Sequence, residues 1–552
     1  MSPRFTYDVR TKKVLLVGIP LVLASFTHLW NPIGFPSIYV DEAHYMRRVM
    51  NVLDGFGPQE SANIFHHPYD HPYFGQTFLA GILSVVGYPG SLHVSGHGNI
   101  QSFEMLYMIP RILMGILAVV DTFVIYKIAE RRYNRKVAFI ASFLFAIIPV
   151  GWFIRRIWLE SIQLPFLLLS ILFVVRSAPD LAKSVGNVGR TKENVLAVFT
   201  SGVFLGLVIF TKIPAITMIP LVGYVVYTTC NKNMKLLGIW FIPVISISLI
   251  WPGYAIYLDQ FDMWYEDVFW HMSRIVEVGT TSQVLVDLFR MDPVLLVLGA
   301  AGIMLSVIRR DLFLFLWTFP FIIFSYILVH SSYWYFIPLL PAFCIGASRL
   351  IEVTTNLIGK KRIQQISLFG ITAAIGLFGL ISTTILISTN VTSSYFKATE
   401  FIAQSLPTNN KSDVNTVLVT GGVGFAKFTW LLAQILDMEH DFRMLHILFP
   451  GSPAAAPTNT TKALFVVDKS FDNIMTALIN MQRTYELGSL VHILKLYNGT
   501  SKIASFTGNS DTYNAEKYPY FAMKFNNELA ASGPDRIEVR ATFEPTFLGR
   551  TR

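Results

Sequence analysis

Long apolar runs separated by short polar loops set the pattern of this chain, and a membrane-spanning helix needs about 20 mostly apolar residues. Eleven runs read as spans: 14–30, 104–127, 137–153, 159–175, 195–211, 213–229, 236–257, 292–308, 312–329, 334–352 and 365–388. A twelfth, 73–88, is short, punctuated by glycine and flanked by polar loops. Loop charge decides whether it crosses. If 73–88 lies at the interface and the amino terminus is cytoplasmic, twenty Lys and Arg fall on the cytoplasmic side and eight on the outer side. That is the bias of the positive-inside rule, and a crossing at 73–88 would reverse it from residue 127 onward. The run is therefore predicted to be a juxtamembrane helix in the first external loop. The first span lacks a small-residue cleavage site and reads as a retained anchor.

The same topology places the tail, residues 389–552, outside. All four N-x-[ST] sequons, at Asn390, Asn410, Asn459 and Asn498, fall in it, on the side where glycosylation acceptors stand. Helix-like and strand-like stretches alternate there: Tyr395–Ser405, Thr416–Val419, Phe428–Leu436, Ala463–Val467 and Val491–Leu496. The expectation is a mainly α polytopic membrane protein, with a transmembrane module over 1–388 and a small extracytoplasmic α/β domain over 389–552.

Composition removes the competing classes. With 53% apolar residues, 14% charged and a mean hydropathy of +0.49, the chain is neither an ordinary soluble enzyme, which carries about a quarter charged residues, nor disordered. The net charge of +9 is explained by basic cytoplasmic loops and requires no nucleic-acid partner. Cys230 and Cys344 lie in unrelated segments and imply no disulfide framework.

Candidate chemistry concentrates after the first span, in IYVDEAHYMRRVMNVLDGFG and then HHPYDHPYFGQ. Asp41 and Glu42 sit side by side at the membrane exit, and seven of the twelve histidines lie between His28 and His97. The order of span, DE pair, juxtamembrane helix, HP turn and apolar helix resembles the GT-C glycosyltransferases. It is most similar to the protein O-mannosyltransferases (dolichyl-phosphate-mannose-protein mannosyltransferase-like) and related lipid-linked-sugar transferases. Further along, Pro110-Arg111 resembles the opening of that family's second span. Arg155 with Glu160-Ser161 resembles its R-x4-DS stretch, and GLVIFTK ending in Lys212 resembles its fifth span. YWYFIPLLP, containing Tyr335, resembles its late aromatic-proline span. The chain departs from the family pattern at His71-Pro72-Tyr73 in place of HPP and at Glu160 in place of Asp. The loop over 258–290 is too short for a lectin-like module, and the WWDYG signature of oligosaccharyltransferases is absent.

The resemblance implies an inverting transferase that moves a hexose such as mannose from a polyprenyl or dolichyl phosphate to a hydroxyl of a protein, glycan or lipid. Such a transfer needs a base for the hydroxyl and charge stabilisation of the departing phosphate. Asp41, with Glu42, is the candidate for the first; Arg111, Arg155 and Lys212 are candidates for the second, with His71, Glu160 and Tyr335 in support. No cofactor is required. His66, His67 and His71 near Asp70 offer a weaker alternative as a divalent-metal site, since their spacing matches no strict metal motif. The glycine run in TVLVTGGVGFAKF reads as a strand–turn–helix corner, because Lys427 occupies the third glycine position of a dinucleotide fingerprint. Asp121, inside the second span, is expected to pair with the basic cytoplasmic loop. The competing readings are a lipid-sugar flippase or transporter, which should show repeated halves that this sequence lacks, and a non-catalytic GT-C-like subunit. Oligomeric state is left open.

Overall fold

The computed structural model describes residues 9–59, 67–92, 100–181, 188–273, 281–327 and 332–405; in the tail it describes 416–421, 443–447, 462–468, 496–507 and 536–542, with single positions 428, 431 and 471. Every apolar run that reads as a span falls on helix. The helices are α1 (Val9–Leu29), α2 (Val40–Leu53), α3 (Phe74–Val85), α4 (Ile100–Arg132), α5 (Arg135–Ile147), α6 (Leu159–Leu181), α7 (Val188–Thr211), α8 (Ile219–Thr229) and α9 (Met234–Ser248). They continue with α10 (Ile250–Tyr257), α11 (Phe261–Ser273), α12 (Thr281–Met291), α13 (Pro293–Ile308), α14 (Leu312–Ile327), α15 (Leu340–Asn356), α16 (Lys361–Ile387) and α17 (Ser393–Ser405). Among the described residues five helices are long and apolar enough to cross a membrane by length and composition, or up to seven if each bent pair is one span. The run 73–88 becomes α3, of 12 residues, packed on α2.

Proline explains why several spans are broken. Pro149 ends α5 and opens a 3-10 turn, Pro149–Arg155, bent by 70° from the helix. Similar turns precede α8 (Ile213–Met218) and α15 (Tyr333–Leu339), each containing proline. Proline lacks the N–H that continues an α-helical ladder, and non-helical backbone is tolerated at membrane depth only where protein or a cavity covers it. Arg155, Lys212 and Tyr335 all sit in or beside these three turns.

Two large hydrophobic cores divide the molecule. One fills the helix bundle, from Ala118 through Trp317 to Ile387. The other runs from α2 and α3 through the amino-terminal half of α4 into α17 and the tail sheet. Tyr107 of α4 meets Phe396 of α17 and Phe428 edge-on, with ring centres 6.3 and 6.2 Å apart. The sheet strands are β1 (Thr416–Gly421), β2 (Arg443–Ile447), β3 (Lys462–Val467), β4 (Ser501–Thr507) and β5 (Arg536–Ala541), in spatial order β2-β1-β3-β5-β4. β1 runs parallel to β2 and β3, while β5 is antiparallel to β3 and β4. The sequence pattern anticipates α17, β1 and β3 and misses the other three strands, although β5 (RIEVRA) alternates polar and apolar residues along its whole length. Leu496, the last residue of the stretch Val491–Leu496, opens a helical turn; 491–495 and the glycine turn after β1 lie outside the described residues.

Asp121 is another difference. It is fully buried in α4, and neither carboxylate oxygen has a partner among the described residues. Lys127 instead pairs with Glu130 at 3.0 Å, because that acid is a turn away on the same helix.

Candidate active site

The first turn of α2 separates the two members of the acidic pair. Glu42 points inward, is fully buried, and accepts four hydrogen bonds. Arg111 of α4 donates Nε to Oε1 at 3.0 Å and Nη2 to Oε2 at 2.8 Å. The backbone N–H groups of Tyr39 and Ile157 complete the shell at 2.8 and 3.1 Å. Arg111 spends its remaining donors on the carbonyls of Pro32, Pro36 and Ser37. Burial pushes the Glu42 carboxyl upward, but the Arg111 fork outweighs it and holds the group below its ordinary value. Glu42 is thus a charged anchor between loop 1, α4 and the segment before α6.

Asp41, one residue earlier, is partly exposed. Its charge acts on Lys212 and Glu160, and on the rings of Tyr45 and Tyr333. Lys212 and Glu160 form a buried ion pair, and the Lys212 ammonium lies 4.2 Å from the centre of the Tyr335 ring. Gln163, one turn beyond Glu160, donates Nε2 to the carbonyls of Val208 at 2.9 Å and Lys212 at 3.1 Å, which pins the broken end of α7. Glu160, Gln163, Lys212 and Tyr335 supply the polar lining of a narrow cleft whose walls include Leu167, Val208, Met218 and Phe321.

The other candidate residues divide between this cluster and its scaffold. Arg155 is buried, donates Nη2 to the carbonyls of Trp30 and Asn31 and faces the Phe35 ring; its Nε and Nη1 have no partner among the described residues. Arg156, unmatched to the family motif, donates to Ser37 at 2.9 Å amid Tyr39, Trp152 and Trp158. His71 is nearly buried and lies 5.9 Å, ring to ring, from Tyr45. His67 turns elsewhere: its Nδ1 lies 2.7 Å from Asp267, and its ring stacks on Trp270 at 3.8 Å. His66 lies outside the described residues. Of the sequons, Asn390 is half-buried and accepts the N–H groups of Thr392 and Ser393, Asn498 is exposed, and Asn410 and Asn459 lie outside the described residues.

Three contributors were not legible in the sequence. Arg48 donates to Asp70 at 2.6 Å, with His44 3.3 Å from the same carboxylate. Burial raises the Asp70 carboxyl, but Arg48 and the two histidines hold it well below its ordinary value. Asp267, far along the chain, receives the Tyr69 N–H at 2.8 Å as well as His67. Gln163 is the third. Arg48 lies one turn after His44 on α2, which puts both on one face; nothing local marks Asp267.

Residues 18–269, a little under half of the chain, match the family described as dolichyl-phosphate-mannose-protein mannosyltransferase. No curated protein matches the chain. Among solved structures it is similar to ArnT from Cupriavidus metallidurans bound to undecaprenyl phosphate, with a TM-score of 0.58 at 12% identity, covering 99% of this chain and 100% of that one. It is similar also to the oligosaccharyltransferase AglB from Archaeoglobus fulgidus in complex with an inhibitory peptide and a dolichol-phosphate, with a TM-score of 0.56 at 12% identity, covering 96% of this chain and 88% of that one. The chain has the GT-C fold, and its resemblance to GT-C glycosyltransferases stands on both comparisons.

Proposed function

We propose that this GT-C protein is an inverting glycosyltransferase that moves a hexose, such as mannose, from a polyprenyl phosphate to an acceptor hydroxyl on the extracytoplasmic face. The observation that carries the reading is the split of the acidic pair. Glu42 is locked by Arg111, whereas Asp41 is partly exposed beside the Lys212–Glu160–Tyr335 cluster. Asp41 takes the proton of the acceptor hydroxyl as its oxygen attacks the anomeric carbon from the face opposite the phosphate. The bond from that carbon to the phosphate oxygen breaks, and the prenyl phosphate leaves as an anion. Lys212 meets that charge as a point cation, and Arg155, two of whose nitrogens have no partner among the described residues, adds to the positive potential. Arg111 is assigned to positioning, because all its donors are engaged within the protein. Glu160 orients Lys212, Tyr335 faces it, and His71 supports the loop-1 helix beside Tyr45. The scheme invokes no metal.

The family match supports the hexose, and the prenyl phosphates bound to ArnT and AglB support the carrier. The lysine and arginine count supports eleven spans with the site and the 389–552 domain outside; Asn498 is the exposed sequon. The experiment is single-turnover transfer from a defined polyprenyl phosphate mannose. Asp41→Asn should lose about 10²–10⁴-fold in rate, the range for a positioned base. Near-normal transfer by that variant overturns the mechanism.

A further inference from the structure

The helix that follows α10 carries an apolar face that plays no part in the active site. α9 and α10 together, Met234–Tyr257, are the least buried of the five described helices of spanning length, and α10 keeps Ile250 and Ile256 exposed. α11 starts after a turn over 258–260, where Asp259 holds a φ of 56°. It folds back on α10. Trp264 meets Trp251 at 5.4 Å between ring centres, and Val268 joins the same cluster with Tyr254 and Ala255. Trp251 lies six residues before the end of α10, about 9 Å along the axis at about 1.5 Å per residue. The inner face of α11 also holds the HP turn, since buried Asp267 accepts the Tyr69 N–H at 2.8 Å and lies 2.7 Å from His67 Nδ1.

The outer face of α11 has a different pattern. Phe261, Tyr265 and Phe269, four residues apart and so on one side of the helix, are 44, 60 and 60% exposed. The Tyr265 and Phe269 rings stack at 6.4 Å. Asp262 and Glu266, about 100° further round the helix, are exposed beside them. An exposed apolar patch rimmed by polar residues marks an interaction surface, and here depth decides what covers it. α11 packs about 9 Å back from the end of a lipid-facing span. Amphipathic helices sink their apolar side to that level, about 5–10 Å into the boundary between headgroups and acyl chains, and tyrosine is enriched there. The stripe is also continuous in chain with the exposed Ile256 and Tyr257 at the end of α10.

We infer that α11 is an interfacial helix whose Phe261, Tyr265 and Phe269 stripe docks into the lipid leaflet on the side of loop 1, with Asp262 and Glu266 turned to water. The HP turn is thereby clasped to an element anchored at the bilayer surface. The docking goes beyond the glycosyl-transfer reading and does not depend on it. The test is electron paramagnetic resonance of the full chain reconstituted in phosphatidylcholine nanodiscs. A nitroxide is placed on one of Phe261→Cys, Asp262→Cys, Tyr265→Cys, Glu266→Cys and Phe269→Cys in turn. All these positions are exposed and the native Cys230 and Cys344 are buried, so the labels report on the outer face and leave the packed face intact. Collisions with oxygen, which concentrates among acyl chains, should exceed those with a water-soluble nickel chelate at 261, 265 and 269. The ratio should invert at 262 and 266. A ratio favouring nickel at every position would put the stripe in water and overturn the docking. Few collisions with either reagent at 261, 265 and 269 would mean that protein covers the stripe, and would overturn it equally.

Discussion

Replacing Glu42 with Gln tests whether this residue is an anchor rather than the base. The substitution preserves shape and removes one charge. In the native site Oε1 accepts from Arg111 Nε and the Ile157 N–H, and Oε2 accepts from Arg111 Nη2 and the Tyr39 N–H. A glutamine amide can present only one oxygen, so whichever way it turns, its NH₂ faces two donors. Arg111, whose side chain has no exposure, would also remain as a buried cation without its counter-charge. Breaking a buried pair in this way costs about 3–5 kcal/mol, a large share of the ~5–15 kcal/mol that stabilises a typical domain. Thermal unfolding of the detergent-purified chain should therefore show a clear loss for Glu42→Gln. Asp41→Asn, at a partly exposed position, should unfold close to wild type yet lose turnover. The opposite pattern, a stable and inactive Glu42→Gln beside a stable and active Asp41→Asn, would refute the assignment and move the base to Glu42.

The Lys212–Glu160 pair predicts a separable outcome: Lys212→Met alone should destabilise by stranding Glu160, whereas Lys212→Met with Glu160→Leu should recover thermal stability without recovering transfer; recovery of both would remove Lys212 from the donor site. Asp70 predicts a pH signature. Because its folded pKa is depressed, its contribution is complete above the ordinary carboxylate value of about 4 and is lost as pH falls through the folded value. Asp70→Asn should thus be less stable at pH 7, with the gap to wild type narrowing below about pH 4; a constant gap would deny the shift. Topology is read by impermeant thiol labelling of intact cells, since the native Cys230 and Cys344 are buried. A cysteine at exposed Gly359 should be protected and one at exposed Ser501 labelled, and the reverse pattern would invert the orientation.

Much of the architecture follows from composition and period alone. Apolar runs of spanning length have few ways to satisfy their backbone in lipid except as helices; the described parts of these runs are helical, five to seven of them of spanning length, and the glycine-punctuated 73–88 became the short α3. The membrane exit of the first span likewise fixed where Asp41 and Glu42 would stand. Which of the two could meet a substrate was not legible, because neighbours in sequence are about 100° apart on a helix turn, and only packing against α4 determines which one turns inward. The same holds for Arg111: a cation at a span boundary reads as a phosphate ligand until the fold supplies Glu42 and three carbonyls to occupy it. Lys212, Glu160 and Tyr335 come from three separate spans, and Asp267 reaches the HP turn from nearly 200 residues away. Sequence determines the solvent each segment needs and the chemistry it carries. Only the tertiary structure decides which charges neutralise one another in the interior and which are left facing a cleft.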